Sequence, residues 1–358
     1  MGRTRMIFFC IGFPSRFAEW CDAVTARLVQ CALGSTEVFS SNTLEELALA
    51  AIRTGASHLV VCSRQPAGRM ATVLAEANRR FIAILDEPRA AVQDLATRPG
   101  YDLVAATRAV ASSCASLLSY TSMPGGLILS ADRDGHDPVK TVAAIARHLD
   151  LSVNETAIVN IVEALKDEGL VPARSDDAGW WNRLHESEQD LVNGALSAYV
   201  PYFGGGDLGR ITWERELFFI TDELAGAELV PATRPVDITG RIRFLVYGPF
   251  INLPPGSWSG SVILGVSSEA AGVAYIIEIF AGVRLTHVRL EPENEGVVEV
   301  NLHFVVDNSI DQPVQIRIHT ERPAFDGRLA LGYVTMMQSN VRSDARTYLT
   351  TTLATNQS

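Results

Sequence analysis

Lysine is almost missing from this chain: Lys140 and Lys166 are the only two among 358 residues, so the first 139 contain none. That excludes any phosphate-binding loop in the N-terminal third that relies on a lysine to reach a nucleotide's terminal phosphates. Positive charge is scarce in general, with 30 Lys+Arg against 41 Asp+Glu and a net charge of −11. Nucleic acid is excluded as a partner, since that affinity comes from neutralising phosphates, and an anionic membrane surface is disfavoured for the same reason. Cysteine is absent beyond position 114. The five present, Cys10, Cys21, Cys31, Cys62 and Cys114, are odd in number and form no C-x-x-C pair. They read as reduced core thiols of a cytoplasmic protein, and no cluster of Cys and His suggests a metal. No apolar run reaches the roughly 20 residues that span a bilayer, so no membrane span is expected. The run Met6–Phe13, behind Arg3 and Arg5, is short and lacks a small-residue cleavage site, which makes it a buried first strand rather than a leader.

What is present is material for two packed cores, with 47% hydrophobic and 20% charged residues. The first half alternates short apolar runs with helical patterns. Strands are expected at 6–11, 58–62, 81–85 and 127–130. Helices are expected at 17–32, from Asn42 or Thr43 to 52, at 68–79, 88–96, 102–119, 137–149 and 154–168, and again at 187–199. Thr43 and Glu46 have capping-box spacing, and Pro138 suits a first helical turn. Continuous apolar strands between helices imply a parallel sheet covered on both faces, an α/β domain. Residues 173–181 read as a polar loop. Gly204-Gly205-Gly206 reads as a hinge, dividing the chain into domains at 1–205 and 206–340 with a flexible tail at 341–358.

From Arg210 the pattern changes. Segments 241–247, 259–266, 273–280, 297–306, 314–320 and 328–335 are short, rich in β-branched residues and separated by Pro, Gly, Asn and Asp. They predict an antiparallel sandwich of jelly-roll type. In 314–320 the residues Val314, Ile316 and Ile318 alternate with Gln315, Arg317 and His319, one dry face and one wet.

The strand, turn and helix at 8–20 stand where such a domain holds an anion, with glycines for close approach and a basic side chain beside a helix N-terminus. The turn, Gly12-Phe13-Pro14-Ser15-Arg16-Phe17-Ala18-Glu19-Trp20, has one glycine and no lysine. Here the chain resembles the sulfotransferase family, whose loop reads roughly Pro-Lys/Arg-Ser-Gly-Thr-Thr-Trp. Pro14 and Trp20 keep the spacing, Ser15 stands at the basic position, and Phe17, Ala18 and Glu19 replace the glycine and hydroxyls. Cys62-Ser63-Arg64-Gln65-Pro66 looks like the family's segment with a catalytic His, and Arg64 occupies that position. The stretch 81–92 is similar to a family strand followed by Arg-Asp-Pro-Arg-Asp-Ala-Val and a Ser. That Arg and Ser hold the cofactor's 3′-phosphate, and here they are Asp86 and Asp94. The stretch 127–149 resembles the family's late strand and helix. The resemblance spans about 150 residues and implies a P-loop-type α/β fold. It implies 3′-phosphoadenosine-5′-phosphosulfate as cofactor for an active member, and a degenerate, non-catalytic member once these cations are lost. An active sulfotransferase acting on a cell-envelope or exported glycan stays open, with Arg16 or Arg64 taking over the anion.

In the second half, Tyr247-Gly-Pro-Phe250-Ile-Asn252-Leu-Pro-Pro-Gly-Ser-Trp258 looks like a phrase of β-sandwich modules in bacterial carbohydrate-associated proteins. That resemblance implies a glycan- or protein-binding module in bacterial polysaccharide metabolism. Sugar sites need flat aromatic faces with amides and carboxylates for the hydroxyls. Tyr247, Asn252, Trp258 and Asp326 are the candidates, with Trp213 and Phe250 of the same kind. Aromatics more often fill a core. A structural or assembly protein whose sandwich is a subunit interface is the third reading.

Overall fold

A computed structural model describes residues 6–172, 178–221, 230–307 and 312–339; the tail expected at 341–358 lies outside them. Contacts divide the chain into two compact units, Met1–Arg183 and Leu184–Ser358.

The first unit runs β1 (Met6–Gly12), α1 (Arg16–Leu33), β2 (Thr36–Ser40), α2 (Leu44–Arg53), β3 (His58–Ser63), α3 (Gly68–Glu76), β4 (Phe81–Leu85), α4 (Pro88–Ala96), α5 (Leu103–Thr121), β5 (Gly126–Ser130), α6 (Ala131–Asp134), α7 (Pro138–His148), α8 (Glu155–Asp167) and α9 (Ala178–Arg183). Five parallel strands form one sheet in the order β2-β3-β1-β4-β5. The three central strands are apolar along their length and buried on both faces, as a helix-covered parallel sheet requires. The order reverses direction around β1, which puts a crevice at the carboxyl ends of β1 and β4. The capping box at Thr43 and Glu46 forms as expected. Part of the stretch expected as a loop is helix instead: α9 starts at Ala178, and Trp181 in it stacks under the Arg89 guanidinium at 4.7 Å. Helix α5 is long and apolar enough to cross a membrane by length and composition, which the sequence reading did not anticipate. Its buried side chains, among them Val110, Cys114 and Leu117, lie in the core of this unit.

The second unit begins with α10 (Glu186–Leu196) and α11 (Tyr199–Phe203). Its strands are β6 (Ile211–Glu214), β7 (Phe219–Ile220), β8 (Val230–Pro231), β9 (Val236–Asp237), β10 (Phe244–Ile251), β11 (Gly256–Val266), β12 (Tyr275–Ala281), β13 (Val283–Leu290), β14 (Gly296–Val306), β15 (Val314–Thr320) and β16 (Arg328–Ser339). They form two antiparallel sheets, ordered β13-β12-β15-β10-β7-β8 and β14-β11-β16-β6, a β-sandwich. Helices α10 and α11, expected with the α/β domain, group with the sandwich. Gly194 explains this for α10, because a Cβ there would lie 2.8 Å from the Thr212 carbonyl of β6. The three glycines read as a hinge close α11 instead: Gly205 is left-handed, and the Gly206 amide returns to the Pro201 carbonyl at 2.9 Å.

Candidate functional site

The crevice at β1 and β4 is filled by the chain itself. Gly12 is there for packing: a Cβ would lie 2.8 Å from that of Ile84 on β4. Phe13 and Ser15 are fully buried. Ser15 caps α1, its Oγ accepting the Ala18 amide at 3.4 Å. Trp20 is core, stacked on Phe17 at 5.9 Å, so it offers no face to a purine.

The next donors of that helix end go to a carboxylate. Asp94, on α4 and 7% exposed, accepts the Arg16 amide at 3.1 Å through Oδ2, and its Oδ1 lies 3.5 Å from Arg16 Nε. An internal anion thus sits where a helix N-terminus would receive a phosphate. Arg16, half-exposed and the cation nearest this turn, is partnered by it. Asp86 is buried at the end of β4 and accepts the Glu87 amide at 2.8 Å, while Glu87 caps α4 through the Ala90 amide at 2.7 Å. Glu19, in the first turn of α1, pairs with Arg98. Three carboxylates thus stand near this end of the sheet, and two of them, Asp94 and Glu19, already take the nearby arginines that a nucleotide's phosphates would need.

Arg64 corrects the expectation that it could take over the anion, since its guanidinium is already paired inside the fold. It lies at the end of β3 with its guanidinium buried against Asp22 of α1 in a short ion pair. Asn42, read in the sequence only as a candidate helix cap, fixes this corner: its Oδ1 accepts the Ser63 hydroxyl and the Arg64 and Gln65 amides at 2.9, 3.1 and 3.0 Å. Burial pushes the Asp22 carboxyl up, and the Arg64 charge pulls it partly back. Asp22 Oδ1 and Arg64 Nη1 are buried without a hydrogen-bond partner. A guanidinium cannot accept a proton, so Arg64 is no general base.

In the sandwich, Trp258 and Trp213 are corrected to core residues. Both are essentially unexposed, and Trp258 Nε1 donates to the Pro254 carbonyl at 3.0 Å. Asp326 sits in the loop before β16, accepting the Gly327 amide at 2.7 Å, and Asn252 is half-buried after β10. Tyr247 is the candidate that joins a cluster. Its ring lies 5.8 Å from Phe219 of β7 and 6.2 Å from Phe250, and Phe219 to Phe250 is 6.1 Å. All three are half-buried.

Two irregularities of β10 build this cluster. A register shift between Phe244 and Val246 buries Leu245 and Val246 together, so Phe244 and Tyr247 both face outward opposite His319 and Arg317. A second shift between Pro249 and Ile251 leaves Phe250 as the extra residue, in the left-handed region at φ 62°. An aromatic residue there is strained, and bulges commonly re-aim a side chain.

Cross-strand partners point to the same face. The register therefore draws a row over five strands: Phe219, Tyr247, Arg317, Glu278 and His287. Arg317 is held from all sides. Its guanidinium lies 3.5 Å from the Phe280 ring and 5.4 Å from Phe244, its Nε and Nη2 reach Gln315 Oε1 at 3.1 and 3.0 Å, and Nη1 is 3.8 Å from Glu278. Arg317 and Gln315 were legible as the wet side of a strand. Phe219, Phe280 and Glu278 were not, because only the pairing of separated strands brings them together.

No protein-family model matches the sequence, and no curated protein matches it. Solved structures with similar folds do exist. Over the N-terminal part the chain is similar to mouse sulfotransferase SULT7A1 complexed with PAP, at 13% identity, covering 54% of this chain and 84% of that one with a TM-score of 0.37. It is also similar there to retinol dehydratase in a complex with retinol and PAP, at 10% identity, covering 56% and 82% with a TM-score of 0.35. Over the C-terminal part it is similar to the CBM36-1 domain of a multidomain xylanase from the hindgut metagenome of Trinervitermes trinervoides. There the identity is 8%, the coverage 37% and 100%, and the TM-score 0.26.

Proposed function

We propose that this chain is a non-catalytic, sulfotransferase-like α/β domain joined to a glycan-binding β-sandwich, working in the cytoplasm in bacterial polysaccharide metabolism. The observation that carries the non-catalytic half is the Asp94 carboxylate on the Arg16 amide. A nucleotide phosphate would have to displace an anion that is tethered, buried and already charge-paired. It would then face Asp86 and Glu19 with no lysine to meet it. Loss of the loop cation, the base and the 3′-phosphate Arg removes positioning, proton transfer and charge stabilisation together. The half-exposed aromatics of the sandwich beside hydrogen-bonding side chains support the binding half.

Calorimetric titration of the full chain with 3′-phosphoadenosine-5′-phosphosulfate tests the first half. No heat of binding is expected at up to millimolar nucleotide, and micromolar affinity would overturn the non-catalytic reading.

A further inference from the structure

The outer face of the six-stranded sheet combines features that a merely solvated sheet does not need. One side of the row is aromatic, with Phe219, Tyr247 and Phe250 in mutual contact and half-exposed. The other side is polar, with Arg317 hydrogen-bonded to Gln315 and ion-paired with Glu278. The backbone at Phe250 is held at φ 62° in the arrangement that brings its ring to the cluster. Strain of this kind clusters at functional sites, ligand clamps among them.

The charges decide what the face would take. Arg317 is matched by Glu278 and its Nε and Nη2 are committed to Gln315, so it is not an open fork for a carboxylate or sulfate. The face is close to neutral and offers both donors and acceptors, which complements hydroxyls, because each hydroxyl both gives and accepts. Aromatic faces carry negative charge density that attracts the polarised C–H bonds of a sugar ring. Strands are spaced by roughly 4.8 Å, so the five-strand row extends over about 19 Å, longer than one sugar ring.

We infer that this row is the binding site of an uncharged pyranose oligosaccharide laid across the strands. One ring stacks on the Phe219–Tyr247–Phe250 cluster, and the hydroxyls of its neighbours bond to Gln315 and to the Arg317 donors that Gln315 does not take. The inference rests on the glycan reading of the sandwich and names the site and the ligand class for it.

The test titrates the full chain calorimetrically with neutral gluco-, xylo-, manno- and galacto-configured hexasaccharides. A polyuronate oligomer and a sulfated oligomer, each at two salt concentrations, complete the panel. At least one neutral oligomer binds, with little dependence on salt. Tyr247→Ala weakens it about tenfold or more, as removal of a central aromatic anchor does. Phe250→Gly weakens it similarly with the circular dichroism of the native protein, since glycine is at ease at positive φ. Tyr333→Ala, exposed on the other sheet, leaves it unchanged. If a neutral oligomer binds but neither Tyr247→Ala nor Phe250→Gly affects it, the face is wrongly assigned while the glycan reading survives. Preference for the uronate or sulfated oligomer, with steep salt dependence, overturns the ligand class. If no oligomer binds, the glycan reading itself fails. Light scattering that shows a dimer dissociated by Tyr247→Ala would make the face a subunit interface and overturn the proposal.

Discussion

Asp22 and Arg64 show how a single pair can close a site chemically. Asp22 is buried and Arg64 half-buried, and each has a buried atom without a hydrogen-bond partner among the described residues. Breaking such a pair from one side strands a charge, which costs about 3–5 kcal/mol, whereas replacing both partners by apolar groups of similar size is often neutral. Arg64→Met is therefore expected to lower unfolding stability by about that amount in urea titrations, and Arg64→Met with Asp22→Leu to recover most of it. The pH dependence gives a second readout. Burial already raises the Asp22 carboxyl, and loss of the guanidinium raises it further. Its folded pKa then lies well above its unfolded one, so the single variant is most stable below the unfolded pKa and loses stability as pH rises through the folded one. A deficit that shrinks toward neutral pH would contradict this account.

At the scale of the element, α1 makes the clearest statement. Its first turn is capped by Ser15 and by Asp94 from another helix. Ser15→Ala is expected to cost about 1 kcal/mol, the usual value of a lost N-cap. Asp94→Asn keeps a hydrogen-bonding carbonyl but loses the charge at the positive helix end, worth about 0.3–1 kcal/mol. Because the two share one helix end, the double variant should fall short of the sum, as thermal melts of the four proteins would show. The strand β10 makes the complementary point. Strict alternation would have alternated core and solvent through it, but the two shifts bury Leu245 with Val246 and turn Phe250 outward.

For the whole molecule, charge is the dominant property. The net −11 and the sequence isoelectric point near 5.2 predict lowest solubility close to that pH, where self-repulsion vanishes. They also predict no retention on heparin or DNA supports at moderate salt, and retention there would mean that Arg side chains gather into a basic patch. Light-scattering turbidity against pH and column elution check the two halves of this statement.

Apolar runs, helical periodicity and caps were legible one residue at a time. From them came the parallel sheet and the antiparallel sandwich, whereas the reading of Pro14, Asp86 and Asp94 as an eroded anion site came from the resemblance to the sulfotransferase family. Strands β2 and β13 were missed because their exposed polar residues dilute the apolar signal. Trp258 and Tyr247 look equivalent in sequence, yet one is core and the other surface, since the strand's register and pleat decide which way each ring points. By itself the sequence determined what this protein is made to bury and which charges it lacks. Tertiary structure alone decided which groups meet, Asp94 with the start of α1, Asp22 with Arg64, and Phe219 with Tyr247 and Phe250. Pairing between strands and helices far apart in the chain leaves no periodic trace along it.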